Sequence, residues 1–261
     1  MSMPATQIEA TEEALRVEGI KKSIGGLDIL TDVSFSVAKG ERRGIIGPNG
    51  AGKTTLFNII SGEIAPTGGA IYCFGDDVTK LTNDKRVAKG IAKTFQRNNL
   101  FGELTVLDNI LLVLQKRERV ENVWFKRRSR KNYAHMYEEA EHLIESFGIS
   151  EQKNNIVNEL SYGDQRQIEI ILGVATNPRI LMLDEPTAGM SNKETQQILK
   201  LLKTLPSDLT IVIIEHDMDV LFEITDRISV LNNGSIIVEG PPETIKTDQR
   251  VFEVYFGKGT F

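Results

Sequence analysis

The chain has 261 residues, 40% of them hydrophobic and 26% charged, with a formal net charge of −5. This is the balance of a soluble globular protein with room for one large core or a core plus a subdomain, and it excludes disordered and fibrous classes. An acidic chain has no general attraction for nucleic acid or anionic lipid, so any basic surface must be local.

The single cysteine, Cys73, has no partner for an internal disulfide, which points to a reducing compartment. It lies in the strand-like run AIYCFG, where a buried structural thiol is expected. The N-terminal stretch MSMPATQIEATEE lacks the basic and apolar regions of a secretory signal and reads as a polar arm over residues 1–13. No apolar run approaches the roughly 18 residues that would span a bilayer.

Taken in chain order, Leu15–Ile20 and a second run ending at Val37 read as strands separated by Gly25-Gly26. In the latter, Val33, Phe35 and Val37 alternate with Ser34 and Ser36. Arg42–Ile46 is a short strand leading into a glycine-rich loop, Lys53–Ser61 a helix, and Ala70–Phe74 a strand between turn signals. The middle third changes character: Met136, Ala140, Leu143, Ile144 and Phe147 form one apolar stripe with glutamates outside it. Leu100–Leu160 therefore reads as a helical insertion. Alternation resumes from Asp164. A helix with Ile168, Ile171, Leu172 and Ala175 inward precedes the strand Arg179–Leu183. The next helix carries a Ser191/Glu194 capping box. The strand Leu209–Glu215, a short helix and a hairpin over Ile228–Glu239 turning on Asn233-Gly234 complete the pattern. Apolar strands alternating with helices predict a largely parallel sheet.

Two segments carry chemistry. Gly47-Pro48-Asn49-Gly50-Ala51-Gly52-Lys53-Thr54 fits G-x-x-x-x-G-K-[ST] between a strand and a helix. Glycines let backbone N–H groups turn around a polyphosphate, and the helix that follows adds its positive end. Lys53 is expected at the β- and γ-phosphates and Thr54 at Mg²⁺, so ATP is the expected ligand. Ile180-Leu181-Met182-Leu183 ends in Asp184-Glu185. A buried strand delivers its terminal carboxylate beside such a loop, Asp184 for Mg²⁺ and Glu185 for the attacking water.

Four further segments follow the same order as in a known family: Thr94-Phe95-Gln96, Leu160-Ser161-Tyr162-Gly163-Asp164-Gln165, Ala188-Gly189-Met190-Ser191 and Ile214-Glu215-His216-Asp217. Over roughly residues 15–257 the chain resembles the ATP-binding subunits of ABC transporters. The resemblance implies an α/β P-loop NTPase core with a mainly parallel sheet, N-terminal antiparallel strands and an inserted α-helical subdomain. Residues 14–99 and 164–261 would form the core, and 100–163 the subdomain carrying the signature motif. It implies catalytic roles for Glu185, His216 and Gln96, with Gln96 also joining Thr54 and Asp184 at the metal. Thr55 and Ile24 would join the ATP contacts. Two subunits are expected to pair head to tail, so that Ser161, Tyr162, Gly163 and Asp164 of one meet the ATP held by the other.

Three residues depart from the family pattern. Ile24 stands where an aromatic residue usually stacks on adenine, so π-stacking is lost. Asp164 stands where Gln is common, which brings a carboxylate near the partner's phosphates, able either to cap the helix or to repel nucleotide. Ser191 replaces a usual Asp or Asn. The segment Lys116–Lys131 carries eight basic residues around Trp124 and Phe125. It reads either as a solvated helical face or as a contact for lipid headgroups or a membrane-embedded partner, with nucleic acid a third option.

Within the family, the signature segment, the basic insertion, Ile-Glu-His-Asp-Met and Val254-Tyr255-Phe256-Gly257 resemble the high-affinity branched-chain amino-acid importers. Urea, amide and lipopolysaccharide-exporting relatives look similar. The expected function is an ATPase powering transport through separate membrane permease subunits, on the cytoplasmic face of the cell membrane, with an extracytoplasmic substrate-binding protein and no nucleic acid. A soluble ATPase acting on nucleic acid or ribosomes is the alternative, although a coiled coil, zinc insertion and tandem glycine loop are all lacking.

Overall fold

The computed structural model describes residues 12–94, 100–119 and 133–256. Two long strands, β1 (Glu13–Ile24) and β2 (Leu27–Ala38), form an antiparallel hairpin in which Val17 faces Phe35 and Leu15 faces Val37. The alternation read in the sequence places Leu15, Val17, Val33, Phe35 and Val37 in the core. β4 (Gly68–Cys73) and the two-residue β5 (Asp76–Asp77) extend this antiparallel sheet from the outer edge of β1.

The parallel part consists of β3 (Arg42–Ile46), β6 (Ile91–Lys93), β7 (Ile180–Asp184), β8 (Thr210–Ile214) and β9 (Arg227–Asn232), ordered 9-3-8-7-6. β10 (Ser235–Gly240) returns antiparallel to β9 and meets β2 through the Ser235–Asp32 bridge, which joins all ten strands. The turn between β9 and β10 is Asn233-Gly234, both left-handed, as the hairpin signal predicts.

β7 and β8 are buried along their whole length. Their side chains divide by parity between two apolar clusters. Ile180, Met182, Val212 and Ile214 face α1 (Lys53–Ser61) and the antiparallel hairpin. Leu181, Leu183, Ile211 and Ile213 face the opposite layer, where α5 (Tyr162–Ala175), α6 (Asn192–Thr204) and α7 (Met218–Ile224) pack. Burial on both faces explains why these strands read as unbroken apolar runs.

α2 (Asn83–Ala88) lies before β6. Between β6 and β7 the described residues form α3 (Val106–Arg117), α4 (Ala134–Ser146), two 3₁₀ turns and α5. The predicted stripe of α4 buries Met136, Ala140 and Ile144, with Leu143 and Phe147 packed at its margin. His135 and His142 lie on its exposed face. α8 (Pro242–Thr247) and α9 (Gln249–Phe256) close the chain against β9 and β10. Cys73 is buried, and burial pushes its thiol up to about 11.

Candidate functional site

The glycine loop leaves the buried end of β3 and is fastened from behind. The Gly234 amide donates to the Ala51 carbonyl, and the Ala51 amide to that of Pro48. At Gly47 a Cβ atom would lie 2.0 Å from the Leu231 carbonyl oxygen, so only glycine lets the loop run this close to β9. Gly52 caps α1 in a left-handed conformation (φ 104°), and a Cβ there would meet Leu30 at 2.6 Å. No side chain caps α1 and no acid occupies its first turn. Its first amides and positive end are left for an anion. Lys53 is 6% exposed, and its ammonium donates to the carbonyls of Gly47 (2.6 Å) and Pro48 (3.0 Å), held across the loop. Burial lowers its pKa, against the pull of Glu185 and Asp184. Thr54 is exposed and Thr55 half-buried at the start of the same helix, while Asn49 and Gly50 form the exposed tip.

Asp184 ends β7 with no exposed surface, and neither carboxylate oxygen has a hydrogen-bond partner. Burial raises its pKa, with Lys93 opposing the rise. Two orphaned buried oxygens next to a hydroxyl-bearing helix start are the donors a hard divalent cation takes. Among the described residues no group of three acidic, histidine or cysteine side chains forms a protein-only cage. A cation here would complete its shell with phosphate oxygens and water.

Glu185 turns the chain out of the strand with φ 49°, a left-handed conformation that costs a non-glycine residue energy and is held only by its surroundings. Its amide donates to the Ile214 carbonyl at 2.9 Å. From the other side the Arg166 guanidinium donates to the carbonyls of Asp184 (2.6 Å) and Glu185 (3.1 Å) while pairing with Glu169. Glu185 Oε1 lies 2.6 Å from His216 Nε2, so the two expected catalytic groups are in direct contact. Behind them Glu215, 2% exposed, accepts hydrogen bonds from Thr187 and from the His216 amide.

Ser161 is the N-cap of α5. Its hydroxyl accepts from the Asp164 amide (3.2 Å) and donates to the Asp164 carboxylate (2.7 Å). Tyr162 is half-exposed. Gly163 packs on Glu194, where a Cβ would come within 2.8 Å of Glu194 Cγ, and its amide helps hold the Glu194 carboxyl below its usual range after the Ser191 bonds. The predicted capping box of Ser191 and Glu194 is present. Ile24 is 55% exposed at the tip of the β1–β2 hairpin. Gln96 and Phe95 lie outside the described residues, as do Trp124, Phe125 and most of the basic segment.

Motif reading gives no role to Arg166, Glu215 or Tyr255, although Glu215 and Tyr255 lie within family-like segments. Arg166 directly follows the signature segment on α5. Tyr255, on α9, has its hydroxyl beside the Gly47 amide, with burial pushing its pKa up. In sequence, only the closeness of Glu215 to His216 hints at any of these contacts.

Residues 30–188, which include the glycine loop, the signature segment and the carboxylate pair, match the ABC transporter family model. The chain belongs to the ABC transporter ATP-binding family. This ABC ATPase is 39% identical to the high-affinity branched-chain amino acid transport ATP-binding protein BraF of Pseudomonas aeruginosa, over 94% of the chain and 98% of that protein. It is 37% identical to the corresponding protein LivG of Escherichia coli K12 over 95% and 99% of the two chains. The lipopolysaccharide export system ATP-binding protein LptB of Haemophilus influenzae is 34% identical over 94% and 97%. Among solved structures, the ADP conformation of the ATP-binding cassette MJ1267 superposes with a TM-score of 0.82 at 32% identity, over 95% of this chain and all of that one. A dimeric post-hydrolysis state of the cassette MJ0796 with ADP and Pi gives 0.72 at 27% identity, over 87% and 98%. The ABC ATPase fold and ATP hydrolysis in the service of transport are thus established for the chain. These relatives' names speak of transport and none of nucleic acid, leaving the nucleic-acid alternative unsupported. No helix among the described residues is long and apolar enough to cross a membrane.

Proposed function

We propose that this ABC ATPase powers the uptake of branched-chain or other hydrophobic amino acids through separate membrane permeases, supplied by an extracytoplasmic binding protein. It would work as a dimer on the cytoplasmic face of the membrane. The observation that carries the catalytic part is the 2.6 Å contact between Glu185 and His216 beside the buried, unpartnered Asp184 carboxylate. The substrate class rests on the near full-length similarity to BraF and LivG.

In this reading the amides of Gly47, Asn49, Gly50, Ala51 and Gly52, in the loop shaped by Pro48, bind the ATP phosphates with Lys53, Thr54 and Thr55. Ile24 packs on the base. Thr54 and Asp184, joined by Gln96, would hold Mg²⁺, whose charge offsets that of the β- and γ-phosphate oxygens. His216 engages one oxygen of Glu185, which leaves the other to accept a proton from the attacking water. His216 also reaches the γ-phosphate. Ser161, Tyr162, Gly163 and Asp164 of a second subunit close the site, an arrangement supported by the dimeric MJ0796 cassette. The described parts of 100–163 would act as the helical subdomain that meets the permeases, and those of 14–99 and 164–261 as the core; the expected arm over residues 1–13 lies almost wholly outside the described residues.

Affinity purification from native membranes, with identification of the co-purifying subunits, tests the transport reading. Two permeases and an amino-acid-binding protein are expected. Recovery with lipopolysaccharide-export components would reassign the substrate, and recovery only with ribosomes or DNA would defeat the reading.

A further inference from the structure

A carboxylate is costly to bury unless donors surround it, and Glu215 is buried with no cationic partner among the described residues. Its position is dictated by β8, whose end lies under the loops that follow β7 and β8. All its compensation comes from two loops. Oε1 accepts from both the amide and the hydroxyl of Thr187 at 2.7 Å each, and Oε2 accepts from the His216 amide at 3.2 Å. Burial pushes the Glu215 pKa up and the nearby Glu185 adds to the rise, while these hydrogen bonds pull it down.

The two loops are those that carry the reaction. Thr187 is two residues past Glu185, separated from it by Pro186, whose fixed φ makes the link stiff. The left-handed Glu185 is therefore held at its carbonyl by Arg166 and on its C-terminal side by the Thr187–Glu215 clamp. His216 is held through its own amide by the other oxygen of the same carboxylate. A methionine here would come close to filling the space, but it could not accept from both loops at once. A carboxylate spans them with its two oxygens.

We propose that Glu215 is a positioning residue for hydrolysis, tying the loop after Glu185 to the loop bearing His216 so that the two catalytic side chains keep their contact. This deepens the role assigned above to His216 and rests on it. Displacement of Thr187–Ser191 by a second subunit then moves His216 as well, because one rigid carboxylate bonds both loops.

Substitution separates this role from simple support. Glu215→Gln keeps the shape but turns one acceptor into a donor, so either the His216 amide or Thr187 faces an N–H group. The expected result is a fall in kcat of about tenfold with KM for ATP within about twofold of wild type. Thr187→Val removes one hydroxyl donor and spares the amide bond, with an expected fall of about threefold if Glu215→Gln proves too unstable to purify. The deciding measurement is single-turnover phosphate release in a His216→Ala background. Acting through the Glu185–His216 contact, which His216→Ala already abolishes, Glu215→Gln changes that residual rate by less than about twofold. Wild-type kcat in Glu215→Gln, or factors that multiply in the double variant as a merely structural role would make them, overturn the proposal. If His216→Ala alone turns over at the wild-type rate, the role of His216 itself fails, visibly and before Glu215 is touched.

Discussion

Glu185 sits where strand geometry and chemistry conflict, and neighbouring residues resolve the conflict. The left-handed Glu185 keeps its carboxylate on His216 while that of Asp184 stays buried without a partner, so two adjacent acids have different surroundings. Glu185→Gln keeps the side-chain length and a polar contact for His216 but removes the proton acceptor. Steady-state phosphate release should fall by about 10²- to 10⁴-fold, the usual worth of a general base. ATP binding should persist, and an ATP-bound dimer should accumulate on size exclusion. Turnover equal to wild type would remove Glu185 from the reaction. The pair Asp184-Glu185 is legible in the sequence because four apolar residues running straight into two acids, downstream of a glycine loop, mark a buried strand that ends at a ligand. Arg166 and Glu215 are not, because what they bind is mostly backbone: the carbonyls of Asp184 and Glu185, the amides of Thr187 and His216. Nearly every residue offers those groups, so no residue type in the linear pattern marks the partner.

The same distinction holds for the helix that follows the glycine loop. Its start is plain in the sequence, and α1 occupies the predicted Lys53–Ser61, just as β3 occupies Arg42–Ile46. The strand ends at β4, β7 and β8 differ from expectation by one or two residues, since apolar runs do not mark where ladder pairing stops. Gly62 stops α1 in a left-handed conformation, but the side chain that covers its last carbonyls is invisible in the sequence. Arg86, on α2, is 1% exposed. Its guanidinium donates to the carbonyls of Ile59 (2.6 Å), Ile60 (2.7 Å), Thr79 (2.9 Å) and Leu81 (3.1 Å). A cation among the last carbonyls of a helix offsets the negative end of its dipole and satisfies acceptors that have no partner in the helix. Arg86→Ala should therefore lower the unfolding free energy by about 3 kcal/mol, because four inward carbonyls lose a charged donor. Arg86→Lys keeps the charge without the planar fork and should lose about half as much. Urea midpoints for the three proteins check the order, and an alanine variant within about 0.5 kcal/mol of wild type contradicts it.

On the scale of the whole molecule, the parity of β7 and β8 sets which layer each part of the site belongs to. α1 lies against one face, and α5, with the signature segment at its start, packs against the other. Within one chain the two meet only indirectly, α5 reaching the carboxylate pair through Arg166. That layering suits a site completed by a second subunit, and it gives the departure at Asp164 a measurable consequence. The Ser161 hydroxyl, expected at the partner's γ-phosphate, here donates its proton to Asp164. An anion approaching α5 would meet a carboxylate and a hydroxyl already engaged, and Asp164 would then oppose closure twice. Asp164→Gln removes the charge and returns the hydroxyl proton to solvent or phosphate. In a Glu185→Gln background, where hydrolysis no longer drains the closed state, the substitution should tighten ATP-driven dimerisation. Each site should gain about 0.5–1 kcal/mol, the size of a charge effect at an exposed helix start. With two equivalent sites in a homodimer, the gain is about five- to thirtyfold in the dimer dissociation constant at low salt, shrinking as salt screens the charge. Analytical ultracentrifugation at saturating ATP and two ionic strengths measures it. An unchanged constant at both would mean that the Asp164 carboxylate does not face the partner's nucleotide.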